Sequence, residues 1–167
     1  MTATRAGLFA YLDDLGIRHS TMEHREVFTV KEGADIKANL PGGHSKNLFL
    51  KDKKGAFFLI SALGSTQIRL NQLHKTLGCA RLSFGRAEIM EAMLGVTPGS
   101  VTAFALINDQ PPQISFILDQ ALIAHDIVNF HPLKNNATTA ISSADLIRFA
   151  KATGHTPTVL DFDAPGL

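Results

Sequence analysis

A single cysteine, Cys79, is all the chain has, so no disulfide can form within it. Folds that depend on internal cross-links are excluded, and the composition suits a reducing compartment. Long apolar runs are missing too, and nothing in the sequence reads as a membrane span. The first residues, Met1 to Gly7, lack the extended apolar stretch of a secretory leader. The expectation is a cytoplasmic protein with no membrane partner. Charge of one sign is also lacking, since the net charge is only +1 over 167 residues. Bulk electrostatics therefore selects no partner class, and the distribution of charge matters more than its sum. Neither an internal repeat nor a low-complexity linker divides the chain. One domain over 1–167 is expected, long enough for a core of its own.

Catalytic signatures are equally sparse. The seven histidines are scattered, with no His-Glu-x-x-His or Cys-x-x-Cys spacing, so neither a metal site nor a cofactor is expected. No Gly-x-Ser-x-Gly elbow occurs. Cys79 follows a helix end without an activating signature and reads as a small buried residue. No glycine-rich phosphate loop follows a strand pattern, which argues against a doubly wound nucleotide fold.

The most informative stretch runs from Leu40 to Asp52. Pro41-Gly42-Gly43 is a breaker cluster, Lys46 to Asp52 reads as a strand, and Asp52-Lys53-Lys54-Gly55 reads as a tight turn into a partner strand, Ala56 to Ile60. Side chains alternate along a strand, so Lys46 shares a face with Leu48 and Leu50. If those leucines face the interior, Lys46 stands at its mouth beside a glycine loop, placed to meet an anion. A solvated lysine at a strand end is the plainer alternative.

Apolar spacing predicts helices around Leu8–Leu15, Leu70–Leu77 and Ala87–Leu94, stopped by Gly16, Gly78 and Gly95, and a last helix capped by Ser143 and ended by Gly154. A short helix from Lys31 toward Leu40, capped by Thr29, is also expected. Strands are expected at 17–24, 80–84, 102–107, 113–119, 125–130 and 158–162. Interspersed helices and strands with a hairpin point to an α/β domain, its mixed, largely antiparallel, barrel-like sheet surrounded by helices. Three loops remain as candidate sites, at 42–46, 95–99 and 130–142. The last carries Asn136, Thr138, Thr139 and Ser142 beside His131, which titrates near neutrality. A turn whose Asn and Thr serve their own backbone would look the same. Net +3 segments at 31–54 and 69–88 could frame a phosphate-bearing partner or be ordinary solvated faces.

Four segments, Glu26–Glu32, Leu40–Gly55, Gly95–Val101 and Phe130–Thr139, occur in order over nearly the whole chain. Together they resemble the YbaK/prolyl-tRNA synthetase-associated editing domain family, in its freestanding branch that deacylates alanyl-tRNA(Pro). The resemblance implies hydrolysis of an aminoacyl ester on a misacylated tRNA. It places Lys46 in the active site near the phosphates of the terminal adenosine, the Gly95–Pro98 loop beside the scissile ester, and the family histidine on His131. It puts Lys51 and Arg81 against the acceptor stem of tRNA(Pro), and makes prolyl-tRNA synthetase a candidate partner. Asn47, Asn136 and Thr138 are candidate substrate contacts, although the branch's usual threonine is replaced by Asn136. Phe28, Thr29 and Val30 are candidates for the wall of an alanine-sized pocket. A deacylase for serine or cysteine, and a tRNA-binding module without catalysis, are the alternatives.

Overall fold

The computed structural model describes residues 2–27 and 33–164. Phe28, Thr29 and Val30, with Lys31 and Glu32, lie outside the described residues. The chain begins with α1 (Arg5–Asp14), capped by the Thr4 hydroxyl, and β1 (Ser20–Glu23). A short α2 (Ala34–Ala38) follows. It starts later than the spacing predicts, with Gly33 at its N-cap and no side-chain cap.

The hairpin forms as expected. β2 (Gly43–Asp52) pairs antiparallel with β3 (Phe57–Leu63), and Lys46 lies opposite Ala62. The connecting turn is held by the Asp52 carboxylate, whose Oδ1 accepts from Lys54 N at 2.9 Å and Ala56 N at 2.8 Å. Both faces of β2 are buried. Leu50 enters one apolar cluster with Ile60, Leu73 and Ile117, while Phe49 enters the larger one with Leu8, Phe104 and Phe149. A strand with two apolar faces does not have one interior and one solvent side, so alternation alone understates its burial.

The rest of the chain is α3 (Leu70–Leu77), β4 (Leu82–Phe84), α4 (Ala87–Leu94), β5 (Ile114–Asp119), α5 (Gln120–Ile123), β6 (Ile127–Phe130), β7 (Ala137–Ser142), α6 (Ser143–Ala152) and β8 (Thr158–Leu160). α3 and α4 end on left-handed glycines, Gly78 and Gly95, as the spacing predicts. Strand order is β1-β7-β6-β2-β3-β5-β8, with β4 on the far end of β2. The sheet is mixed: β1/β7, β6/β7, β2/β3 and β2/β4 are antiparallel, whereas β2/β6, β3/β5 and β5/β8 are parallel. β2 is the hinge of this arrangement. Its first residues, Gly43 and His44, pair with β6, and the remainder pairs with β3 and β4.

Three local expectations are corrected. The segment at 102–107 is not extended. It forms a 3-10 helix over Ala103–Asn108, with the Thr102 hydroxyl accepting from Phe104 N at 3.3 Å. Ala103 to Leu106 are all fully buried. A short apolar run buried on every side carries no period to separate helix from strand. The supposed loop at 130–142 contains β7, set between β1 and β6. Its Thr-rich sequence suits a pleated surface, because β-branched side chains pack well there. Finally, the cap of α6 is Ser142, whose Oγ accepts from Asp145 N at 3.0 Å.

Candidate active site

A cavity of about 240 Å³ opens where the front half of β2 meets α2, β6, β7 and the loop after α4. It exists because β2 leaves β6 after two residues. The sheet parts there, and side chains from both faces of β2 reach the gap.

Lys46 faces this cavity. Its Nζ donates to the Thr66 carbonyl. That carbonyl is fixed in turn: Thr66 Oγ1 donates to Asp119 Oδ2 at 2.5 Å, and Asp119 also accepts Leu63 N and Ala121 N, each at 3.0 Å. Burial pushes the Lys46 ammonium below its ordinary pKa, and the charge of nearby Asp119 pulls the other way. An ammonium has three donors, so two remain for a ligand. Asn47 sits beside it in a fixed pose. Ser45 Oγ spends its hydrogen on the Asn129 carbonyl at 2.8 Å, so it must accept from Asn47 Nδ2 at 3.2 Å. Asn47 Oδ1 then accepts from Ser61 Oγ at 2.5 Å. The same assignment leaves one amide N–H of Asn47 without a partner among the described residues.

His131 follows β6 and lines the cavity. Its Nδ1 donates to the Ala137 carbonyl at 3.0 Å, which leaves Nε2 as the acceptor of the neutral ring. Burial is the main cause holding its pKa below the ordinary value, opposed by that hydrogen bond and helped by the charges of His24 and Lys37. Thr138, on β7, is bound to His24 Nε2 at 2.7 Å, and His24 Nδ1 donates to the Arg25 carbonyl at 2.6 Å. The His24 and His131 rings stand 6.3 Å apart. Lys46, Asn47, His131 and Thr138 are thus brought together.

Other candidates lie elsewhere. Gly95 is the left-handed cap of α4, at φ +68°, and a Cβ there would come within 2.6 Å of the Thr2 side chain. Neither Gly95 nor Pro98 is among the cavity's lining; the same loop reaches it through Gly99 and Val101. Proline also has no N–H, so Pro98 could only shape an oxyanion site and never donate to one. Asn136 is turned away from the cavity, with Oδ1 accepting from Arg5 Nη2 at 2.5 Å. Its neighbour Asn135 is buried and clasps two loops, donating through Nδ2 to the Val27 carbonyl at 2.8 Å and through its backbone N–H to Ser100 Oγ at 3.2 Å. Lys51 and Arg81 belong to the far end of β2, where Lys51 pairs with Ser83 of β4 and Arg81 is exposed just before that strand.

Sequence reasoning missed the α2 wall. Gly33, Ile36 and Lys37 lie three and four residues apart, which places them on one side of a helix, and all three line the cavity. That spacing was visible, but five helical residues carry too little pattern to show which side faces inward. His24 and His44 were also missed. His44 Nε2 donates to the Leu40 carbonyl at 3.0 Å, and its pKa is lowered first by burial. Among the described residues, no carboxylate lines the cavity and no group of three or more His, Cys, Asp or Glu side chains is arranged to hold a metal. No described helix is long and apolar enough to cross a membrane.

A half-open cavity lined by Lys37 and Lys46 and backed by the His131 ring suits an anionic ligand. The model of the aminoacyl-tRNA editing domain matches residues 24–149, a span that contains every described residue of the cavity, and the chain belongs to that family. The chain is 43% identical over 164 residues to prolyl-tRNA synthetase associated domain-containing protein 1 of Bos taurus, covering 95% of each. It is 33% identical to the prolyl-tRNA editing protein ProX of Acetoanaerobium sticklandii, covering 91% of this chain and 93% of that one. A solved structure described as a candidate trans-editing enzyme for prolyl tRNA synthetase shares the fold, with a TM-score of 0.73 at 20% identity over 96% of this chain and 98% of that one.

Proposed function

We propose that this protein is a trans-acting deacylase that hydrolyses alanyl-tRNA(Pro). The observation that carries the reading is the cavity itself: Lys46 with two donors to spare, His131 with a free acceptor, and no lining carboxylate among the described residues. Family membership and the names of the relatives agree with it.

An aminoacyl ester is already activated, so a positioned water and a partner for the developing oxyanion are enough. Lys46 binds the phosphate side of the terminal adenosine and is not a nucleophile. Backbone groups of the 95–99 loop supply the oxyanion partner, through its cavity-facing residue Gly99. Water adds to the ester carbonyl, and its proton passes to a nearby base. The C–O bond to ribose then breaks, and the ribose oxygen takes up that proton and leaves as a hydroxyl. His131 Nε2 and the neighbouring ribose hydroxyl orient that water. Selection of alanine would act by sterics, which reject a larger side chain easily, whereas attraction separates one methylene by only about 1–3 kcal/mol. Lys51 and Arg81 would distinguish tRNA(Pro) from correctly charged alanyl-tRNA(Ala) by holding the acceptor stem.

The test is hydrolysis of alanyl-tRNA(Pro), with alanyl-tRNA(Ala) and prolyl-tRNA(Pro) as controls. Alanine should be lost from tRNA(Pro) alone, and Lys46→Ala should slow that loss by about 100-fold or more, because a substrate not held at its phosphate is misplaced for attack. Spared alanyl-tRNA(Pro) with hydrolysis of seryl- or cysteinyl-tRNA would replace the substrate. Binding without hydrolysis of any of them would make the protein a tRNA-binding module.

A further inference from the structure

The cavity holds a second lysine that differs from Lys46 in one respect. Lys46 is compensated by a carbonyl at Nζ and by the charge of Asp119. Lys37 has neither. It is half-buried on α2, makes no side-chain hydrogen bond or ion pair among the described residues, and looks into the same cavity. Its electrostatic neighbours are themselves cations or imidazoles: the charge of Lys46 acts on it, and its own charge acts on His44 and His131. Lys37 lines the cavity from α2, whereas Lys46 lines it from β2 and His131 from the end of β6. The exposed acids nearby are engaged elsewhere, as Asp35 pairs with Arg25 at 2.7 Å.

Two ammonium groups facing one small cavity repel each other, and part of their hydration is gone. This lowers stability unless an anion lies between them. Such groups persist where a ligand supplies the missing charge. We propose that Lys37 is a second phosphate-binding residue, which meets a backbone phosphate of a single-stranded RNA 3′ end from the α2 wall of the cavity that Lys46 lines from β2. The inference rests on the proposed deacylase reading for the identity of the RNA, but not for the anion chemistry. It also gives α2 a role: this five-residue helix with no capping side chain lines the cavity through Ile36 and Lys37, and an anion would draw it toward β2.

The experiment uses the whole chain and two variants, Lys37→Met, which keeps the apolar stem, and Lys37→Arg, which keeps the charge. The probe is a fluorescent RNA oligonucleotide ending in CCA, with binding followed by anisotropy from low to moderate salt. Lys37→Met should weaken binding by roughly tenfold at low salt and reduce the slope of log Kd against log salt by about 0.7, the share of one single-strand phosphate contact. Lys37→Arg should restore most of both. An unchanged Kd and slope in a Lys37→Met protein with a wild-type circular dichroism spectrum would overturn the proposal. The two readings separate cleanly. Lys37-dependent binding by a protein that deacylates nothing would sink the reaction and leave this residue's role standing. Normal deacylation and binding by Lys37→Met would do the reverse.

Discussion

Two imidazole networks in this molecule show opposite uses of histidine. His155 is fully enclosed, and nothing about it is left open. Thr153 Oγ1 spends its hydrogen on the Ala150 carbonyl at 2.8 Å, so it accepts from His155 Nδ1 at 2.9 Å. His155 Nε2 donates to Asp109 Oδ2 at 2.8 Å, and that oxygen also accepts Gln113 N and Ile114 N, each at 2.9 Å. Both ring nitrogens of His155 have partners, so the network ties the end of α6 to the approach to β5. His131 is also part-buried, yet one nitrogen is tied and the other has no partner among the described residues. A satisfied buried polar group makes structure, and one left half-satisfied beside a cavity makes a site.

The sharpest way to break the comparison is Asp109→Ala. It strands His155 and two backbone N–H groups, and should cost about 4 kcal/mol of stability, as for breaking a buried pair. Chemical denaturation reads this, and the deacylation rate per folded molecule should be unchanged. A network of merely ornamental bonds would leave the midpoint where it was. Next comes Thr66→Val, which cuts the bond to Asp119 and loosens the carbonyl that holds Lys46. We expect about a tenfold fall in kcat/KM, or about 1.4 kcal/mol, with rescue by Thr66→Ser.

The pH profile sharpens the comparison from the other side. The pKa of His131 lies below its ordinary 6.5, so its ring is neutral at pH 7 and gains a proton only on acidification. Protonation turns Nε2 from acceptor to donor. The acid limb of kcat/KM should therefore fall below pH 6.5 and disappear in His131→Ala. His44 shifts in the same direction, so His44→Gln is the control that should keep the limb. Lys46 sits below its ordinary 10.5, and its charge is lost as pH rises through the lowered value, which sets an alkaline limb earlier than for a free lysine. The smallest effect is expected at the far end of β2. Lys51→Ala should raise KM about threefold and flatten its salt dependence, as for one exposed phosphate contact, with kcat unaltered.

Legibility in the sequence followed the range of the interactions. The hairpin around Asp52–Gly55 was readable because its turn is held by atoms no more than four residues apart. Helix ends at Gly78 and Gly95 were readable because a left-handed residue announces itself locally. Lys46 was legible as a cation beside a glycine loop, and its resemblance to a family lysine placed it in a site. The 3-10 helix at Ala103–Asn108 was not readable, because its uniform burial erases the period. Lys37 was missed for a different reason: α2 is too short to show its inward side.

By itself the sequence determined most of the elements, their punctuation and the family, but neither the 3-10 helix at Ala103–Asn108 nor β7. What it did determine depends on neighbours along the chain or on segments kept in order. The tertiary structure alone decided which polar groups meet. Thr138 reaches His24 across 114 residues, and Asp119 governs Lys46 through a loop 53 residues away. It also moved the loop's contribution from Gly95 and Pro98 to Gly99, and turned Asn136 outward to Arg5. The physical reason is that a cavity is where packing stops. Its lining is set by where β2 parts from β6, a feature of three-dimensional register that no local pattern encodes.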